Sequence, residues 1–170
     1  MILIYTGPGK GKTSASVGQA IRAHGQGLRV CFAQFMKRPN QAGEQKVLAK
    51  LLKDGFYAGG KGFFRTNDTR EQHRAAALEV LRWAQNALTN VPGTDLLVLD
   101  ESLYALGNDL LLEDEVRQII ALARAANTHL VLSGRGLPDW LRREADLVTE
   151  MREIKHPFAE GRKAVKGIEF

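Results

Sequence analysis

The sequence predicts an α/β protein of one domain, residues 1–170, with a mostly parallel sheet covered by helices on both faces. Two observations carry this prediction. Short continuous apolar runs alternate with helix-length amphipathic segments, and the first apolar run ends in a glycine-rich stretch, GPGKGKT. Such runs are typical of strands buried on both faces, and their alternation with helices favours parallel pairing. A length of 170 residues suits a single core.

Five strands are predicted from the apolar runs, at residues 2–6, 29–35, 96–100, 129–134 and 147–151. The first, ILIYT, has neither a basic start nor a cleavage signal, so we expect a buried strand there rather than a signal peptide. Ligands of parallel sheets bind beside the carboxyl ends of the strands. The residues that follow these runs are therefore the first candidates for a functional site.

Five helices are predicted between the strands, at residues 12–24, 44–53, 68–88, 113–125 and 138–144. In the first, Val17 and Ile21 lie one turn apart and predict a core face. The last begins with Pro138, which fits the first turn of a helix. The middle three carry apolar residues at helical spacing: Val47, Leu48, Leu51, Leu52, Ala77, Leu81, Leu88, Val116, Ile119, Ile120 and Ala123.

Composition indicates the compartment and the class of partner. The single cysteine, Cys31, forms no internal disulfide, and no apolar stretch approaches the roughly 20 residues of a membrane span. We therefore expect a cytoplasmic protein without a membrane partner. The formal net charge of +5 favours anionic ligands. Because basic residues are scattered among acidic ones, we expect a small polyphosphate rather than nucleic acid.

The glycine-rich stretch is typical of a phosphate-binding loop, although it is one residue short. Gly11, Lys12 and Thr13 end the motif in the usual way, but the slot of the first glycine falls on Thr6, and Gly7 comes one position late. In such a loop, backbone N–H groups and the helix N-terminus hold phosphates, Lys12 supplies charge and Thr13 a hydroxyl for Mg²⁺. The alternative is a tight turn whose lysines serve solubility.

Two later strand ends carry charged residues that fit the same site. The run LLVLDE places Asp100 and Glu101 after a buried strand, where a carboxylate can orient Mg²⁺ or its waters. The stretch SGRG places Arg135 between glycines after another strand, where its guanidinium can bind a phosphate or carboxylate. The alternatives are an acidic turn or helix start for the first, and a simple turn for the second.

Together these motifs resemble one family, the P-loop-type ATP:corrinoid adenosyltransferases of adenosylcobalamin biosynthesis and salvage. The resemblance runs nearly end to end through TGPGKGKTSA, AQFMK, AGEQKVL, GFF, VLDES, LSGRG and ADLVTEMREIKHPFAEGRKAVKGIEF. It implies a RecA-like P-loop domain, usually a homodimer. It also implies a transferase that moves the 5′-deoxyadenosyl group of ATP to the Co(I) centre of a reduced corrinoid and releases triphosphate.

The resemblance also implies roles for individual residues. Lys12, Thr13 and Glu101 would be catalytic, and Thr13 with Asp100 or Glu101 would serve Mg²⁺. Phe63 matches an aromatic residue near the lower face of the corrinoid, where it helps to exclude the lower ligand. A reductase or flavoprotein would donate electrons. The residues expected to bind ATP or the corrinoid are Gly7, Gly9, Lys10, Gly11, Lys12, Thr13, Ser14, Glu44, Phe63, Arg65 and Arg135.

The chain departs from the family pattern at two points. Better-known members have a tryptophan where this chain has Arg65, which leaves open the identity of the corrinoid. Some members carry a leading segment that helps to cover the site, whereas this chain starts at the first strand, so we expect a more open site. The loop contraction is shared by the family and is expected to belong to its reversed mode of ATP binding. The alternative functions are a RecA-like ATPase, a small-molecule P-loop kinase and a non-catalytic carrier.

Overall fold

The computed structural model describes residues 1–63, 69–90 and 93–168. Its sheet has six strands, all parallel, in the order β3-β2-β4-β5-β1-β6. The strands are β1 (Ile2–Thr6), β2 (Val30–Gln34), β3 (Phe56–Ala58), β4 (Leu96–Asp100), β5 (His129–Ser133) and β6 (Leu147–Glu150). The helices are α1 (Lys12–Gly25), α2 (Gly43–Leu52), α3 (Arg70–Thr89), α4 (Ser102–Gly107), α5 (Glu113–Ala125) and α6 (Asp139–Glu144).

Helices cover the two faces of this sheet and create two cores. On one face, alternate strand residues such as Ile4 and Leu99 pack with Val80 of α3 and Ile119 of α5. On the other face, strand residues such as Phe32 pack with the α1 and α2 side chains Ala20 and Leu48. The predicted fold class, an α/β protein with a mostly parallel sheet covered by helices on both faces, is confirmed.

Two predicted core residues lie at the surface. Ile21 and Val47 are exposed, because α1 turns Ser16, Ala20 and Ala23 toward the sheet and α2 turns Leu48. Small alanines let α1 approach the strands closely. The apolar residue that stands out in the sequence is thus not always the one that packs.

Four short elements of the described residues were not predicted: the edge strand β3, the helix α4, the 3-10 turn at Lys53–Gly55 that leads into β3, and the 3-10 turn at Pro157–Glu160. The predicted start of the third helix at residue 68 lies outside the described residues. In the described parts of the chain, no helix is long and apolar enough to cross a membrane.

The strand order brings four carboxyl ends to one edge of the sheet. β5 lies between β1, which leads into the glycine-rich loop, and β4, which ends at Asp100. In the register of β2 against β4, Gln34 pairs with Asp100. Ser133 ends the neighbouring strand β5. The residues after β1, β2, β4 and β5 therefore surround a common space.

Candidate active site

The glycine-rich loop is packed against the segment that follows β6. The N–H of Gly9 donates to the carbonyl oxygen of Met151 at 2.8 Å. A Cβ at Gly9 would lie 2.7 Å from the carbonyl carbon of Arg152. Gly7 has φ +104°, and its Cβ would collide with the Met151 carbonyl oxygen. Glycine is required here both for backbone conformation and for close approach.

We expect Gly7→Ala to lower the free energy of unfolding by about 1–3 kcal/mol, because it adds a clash to a positive φ. Gly18→Ala is the matched control. Gly18 lies inside α1 with open space at its Cβ, so the same added methyl should stabilise the protein by about 0.5–1 kcal/mol. Urea unfolding of both variants measures the difference. Equal effects of the two substitutions would contradict the packing of the loop on Met151.

Lys12 begins α1 with its side chain folded over the loop. Its Nζ donates to the carbonyl oxygens of Gly7 at 2.9 Å and Gly9 at 2.7 Å. Burial lowers the pKa of this ammonium; Glu101 opposes the shift and Arg135 adds to it. A nearly buried cation at a helix N-terminus is suited to polyphosphate. The sequence predicted that Lys12 lies where the glycine-rich loop meets the first helix.

Thr13 and Asp100 lie together as the metal prediction requires. The Thr13 hydroxyl donates to the two carboxylate oxygens of Asp100 at 3.1 and 3.2 Å. The Ser133 hydroxyl donates to the Asp100 carboxylate at 2.7 Å. The Oγ of Ser133 in turn accepts a hydrogen bond from the backbone N–H of Glu101 at 3.1 Å. Asp100 is fully buried, so these hydrogen bonds compensate its charge.

Glu101 is a strained, buried carboxyl beside Asp100. It adopts φ +62° at the start of α4, a conformation that is uncommon for a non-glycine residue. Burial and the neighbouring Asp100 raise the pKa of Glu101 to about 7, although Lys12, Lys37 and Arg135 oppose the shift. A strained and desolvated acid facing a cleft is typical of a functional site.

Glu44 joins this group from the first turn of α2. Its carboxylate accepts a short hydrogen bond from Lys37 and another from the Gln34 amide at 3.2 Å. Burial acts to raise the pKa of Glu44, but the hydrogen bond and charge of Lys37 outweigh it, so the pKa lies below its usual value. The Nε2 of Gln34 also donates to Asp100 at 3.1 Å. Gln34 thus links both carboxylates.

Arg135 and Phe63 line the same cleft as the loop and lie near α4. Gly134, with φ +137°, brings the chain so close that a Cβ would lie 2.8 Å from the Tyr104 nitrogen. Arg135 follows it and is exposed. The ring of Phe63 meets Tyr104 edge-on, with centroids 5.2 Å apart. An aromatic pair and a cation therefore border one end of the site.

Most of these groups line one cleft of about 1080 Å³, a size suited to a large ligand. The carboxy-terminal segment forms one wall with Glu153, His156, Phe158 and Ile168. Lys10 reaches that wall, where its Nζ donates to the carbonyl oxygen of Ile168. In the described parts of the chain, no three His, Cys, Asp or Glu side chains are grouped as a complete metal site.

The structure brings most of the predicted residues together. The predicted residues that line the cleft are Gly9, Lys10, Gly11, Lys12, Thr13, Ser14, Glu44, Phe63, Glu101 and Arg135. Gly7 and Asp100 lie just behind it and bond to Lys12 and Thr13. Arg65, with Phe64 of the GFF motif, lies outside the described residues.

The residues of the site that were not predicted include Gln34, Lys37, Tyr104 and Ser133. Gln34 and Ser133 are polar residues that end buried strands, as Asp100 does. That pattern could have identified them. Lys37 and Tyr104 gave no comparable signal.

A family model described as "ATP:corrinoid adenosyltransferase BtuR/CobO/CobP" matches residues 1–170, the whole chain. The chain belongs to this family. The prediction of family and of enzyme class is therefore confirmed: the protein is a transferase of the type that moves the adenosyl group of ATP to a corrinoid. ATP and a corrinoid are the substrates named in the family description. Magnesium, the assembly and the cellular compartment stay predictions.

Individual members of the family are similar over their length. A corrinoid adenosyltransferase of Pseudomonas aeruginosa is 37% identical over 172 residues, covering 100% of this chain and 83% of the relative. Corrinoid adenosyltransferase CobA of Salmonella typhimurium is 37% identical over 171 residues, covering 100% and 85%. Among solved structures, a DNA replication initiation factor has a TM-score of 0.44 and 18% identity, covering 88% of this chain and 39% of that one. That likeness has no bearing on function.

Proposed function

We propose that the protein transfers the 5′-deoxyadenosyl group of ATP to the Co(I) centre of a corrinoid bound in the cleft, in adenosylcobalamin biosynthesis or salvage. The cobalt electron pair forms a bond to C5′, and the C5′–oxygen bond breaks with its electrons, so triphosphate leaves intact and the cobalt becomes Co(III). The observation that carries this proposal is the full-length family match on a chain whose phosphate loop opens into a large cleft.

The glycine-rich loop would bind the triphosphate and stabilise the negative charge that grows on it. Gly11 and Ser14 line the cleft and offer backbone and hydroxyl donors, while Lys12 supplies a charge already fixed at the helix N-terminus. Fixed donors and charges of this kind stabilise a transition state without reorganisation. That the one-residue contraction of the loop belongs to a reversed ATP orientation stays a prediction.

Mg²⁺ fits the oxygen ligands of this site. Thr13 offers a hydroxyl within 3.2 Å of the Asp100 carboxylate, and Glu101 faces the same cleft, a donor set that Mg²⁺ prefers. When bound there, Mg²⁺ would neutralise charge on the triphosphate. Thr13 and Asp100 would hold the ion or its waters, and Glu101 would orient them.

The corrinoid would lie across the cleft from the phosphate loop, bordered by Phe63, Tyr104 and Arg135. An aromatic face packs well against a flat macrocycle. Against the lower face of the corrinoid, Phe63 would exclude an axial ligand and favour four-coordinate Co(II), which is easier to reduce. Arg135 is suited to a carboxylate or amide of the substrate. Arg65 stays a candidate for the same face.

We expect Phe63→Ala to lower the four-coordinate Co(II) population severalfold, because the ring that excludes the lower ligand is lost. Electron paramagnetic resonance of the Co(II) corrinoid with ATP bound measures it. Leu112→Ala is the control, since Leu112 is equally exposed at 51% and lies at the start of α5. An unchanged spectrum for Phe63→Ala would remove Phe63 from the corrinoid site.

One assay tests the reaction itself. The protein is incubated with ATP, Mg²⁺ and a chemically reduced corrinoid, and the phosphate product is identified. Triphosphate with a new cobalt–carbon bond is expected. ADP with free phosphate would indicate an ATPase, ADP with a phosphorylated acceptor a kinase, and binding without a product a carrier. Each of these outcomes would contradict the proposal.

The assembly and surroundings of the enzyme are also proposals. Exposed apolar side chains on the edge strand β6 and the segment after it, Leu147, Val148, Ile154 and Phe158, support a homodimer through this surface. Light scattering would test it, and a monomer at working concentration would contradict it. The one cysteine, Cys31, is buried and free, in keeping with a reducing cytoplasm. An electron-donating reductase or flavoprotein partner stays a prediction.

A further inference from the structure

Lys37 places a cation among the oxygens proposed to serve Mg²⁺. Its ammonium forms an ion pair with Glu44, lies 3.5 Å from the Thr13 hydroxyl and lies 3.9 Å from the Asp100 carboxylate. We infer that Lys37 is an exchangeable cation: it neutralises the metal-binding oxygens of the nucleotide-free enzyme and moves to the triphosphate when a divalent ion takes its place. This inference rests on the proposed function of the site.

The carboxylates around Lys37 are held in place independently of it. Gln34 is fully buried, and its amide nitrogen donates to both Glu44 and Asp100. The Gln34 oxygen accepts a 2.8 Å hydrogen bond from Gln45, whose own oxygen accepts the backbone N–H groups of Gln41 and Ala42. This chain of amides fixes the two carboxylates. Removing the ammonium therefore leaves the oxygen site in position.

Lys37 is better able to move than Lys12. Lys12 is nearly buried and is bonded to two carbonyl oxygens of its own loop. The side chain of Lys37 is 22% exposed, and its ammonium lies at the end of a flexible four-carbon chain. A divalent ion within about 4 Å of an ammonium repels it by several kcal/mol at the partly screened dielectric of a protein surface. Metal binding thus drives Lys37 away from Thr13 and Asp100.

Once displaced, the Lys37 ammonium can stay within the cleft. Lys37 lines the same cleft as the loop residues from Gly9 to Ser14. A displaced ammonium therefore remains beside the triphosphate, where negative charge increases as the C5′–oxygen bond breaks. Lys37 would then add a second charge, a mobile one, to the fixed charge of Lys12. The exchange makes the cation available when metal and nucleotide are both bound.

Two binding measurements on Lys37→Met test this inference, neither of which involves a corrinoid. Manganese is titrated into the nucleotide-free protein and free Mn²⁺ is read by electron paramagnetic resonance. Inorganic triphosphate is titrated calorimetrically at saturating Mg²⁺. We expect Mn²⁺ to bind about tenfold more tightly, because its competitor is gone, and triphosphate about tenfold more weakly. Lys50→Met removes an exposed lysine of α2 and should change neither affinity.

The opposed changes distinguish an exchangeable cation from other roles. If Mn²⁺ and triphosphate both bind more weakly, Lys37 is structural and the inference fails. If Mn²⁺ affinity is unchanged, Lys37 does not compete with the metal, and the inference also fails. If Lys37→Met does not fold, Glu44→Gln is measured in its place. This substitution removes the carboxylate that pairs with Lys37, so triphosphate should bind more tightly in metal-free buffer. Weaker binding would contradict the inference. Failure of the proposed function would instead be seen as ADP formation by the unmodified enzyme.

Discussion

Replacing Lys12 with alanine is expected to slow adenosyl transfer by about 100- to 1000-fold while the protein stays folded. Lys12 is the cation that the structure fixes over the loop by hydrogen bonds to Gly7 and Gly9. Its charge would oppose the charge that develops on the departing triphosphate, so the loss falls on the chemical step. The rate of cobalt–carbon bond formation at saturating ATP and reduced corrinoid measures this, and thermal unfolding monitors the fold.

The control for this experiment is Lys50→Ala, which removes a lysine from the exposed face of α2 and should leave the rate within a factor of about two. A Lys12→Ala enzyme that transfers adenosyl groups at a near-normal rate would refute the role of the loop in stabilising the leaving group. A lost fold would show instead that Lys12 holds the loop together. Circular dichroism separates that result from a catalytic one.

The parts of the fold that the sequence predicted well are those determined by local pattern. The runs at β1 and β4 have the predicted bounds because four or five consecutive apolar residues suit a strand buried on both faces. β3 was missed because FYA is three residues long beside two glycines and exists through its pairing with β2. Its stability comes from a neighbour that local sequence does not reveal.

The candidate site also divides into residues that local sequence identifies and residues whose roles depend on distant parts of the chain. Lys12, Thr13 and Asp100 belong to motifs whose spacing follows from one loop and one strand, so they could be predicted. Gln34 was missed although it is fully buried, because its role depends on the register that places it beside Asp100. Lys37 was missed because it lies three residues beyond the end of β2, and its partners come from α1, α2 and β4. Convergence of distant segments is a tertiary property.

Glu101→Gln is expected to stabilise the metal-free protein at pH 8 and to impair Mg²⁺-dependent adenosyl transfer by about tenfold or more. Burial and Asp100 raise the pKa of Glu101 to about 7 from an ordinary value of 4.5. Between these values the folded protein holds a proton that the unfolded chain has released. As the pH rises from 4.5 to 7, ionisation is easier in the unfolded chain, so this residue increasingly destabilises the fold.

Glutamine at position 101 carries no charge at any of these pH values. The stability of Glu101→Gln relative to the unmodified enzyme should therefore increase by about 2–3 kcal/mol between pH 5 and pH 8. Urea unfolding with a chelator present measures this difference. Glu79→Gln, which removes an exposed carboxylate from α3, should show no such trend. A difference that is the same at both pH values would mean that Glu101 is not held in its neutral form.

Binding of metal and nucleotide should reverse this difference in stability between Glu101→Gln and the unmodified enzyme. A divalent ion beside Asp100 and Glu101 supplies the positive charge that the buried carboxylates lack. The ionised form of Glu101 then no longer lowers the free energy of unfolding. In saturating Mg²⁺ and ATP, the unmodified enzyme should regain stability relative to Glu101→Gln at pH 8. The carboxyl that weakens the free enzyme would then strengthen the liganded one, as expected where a strained, desolvated acid is retained for binding rather than for folding.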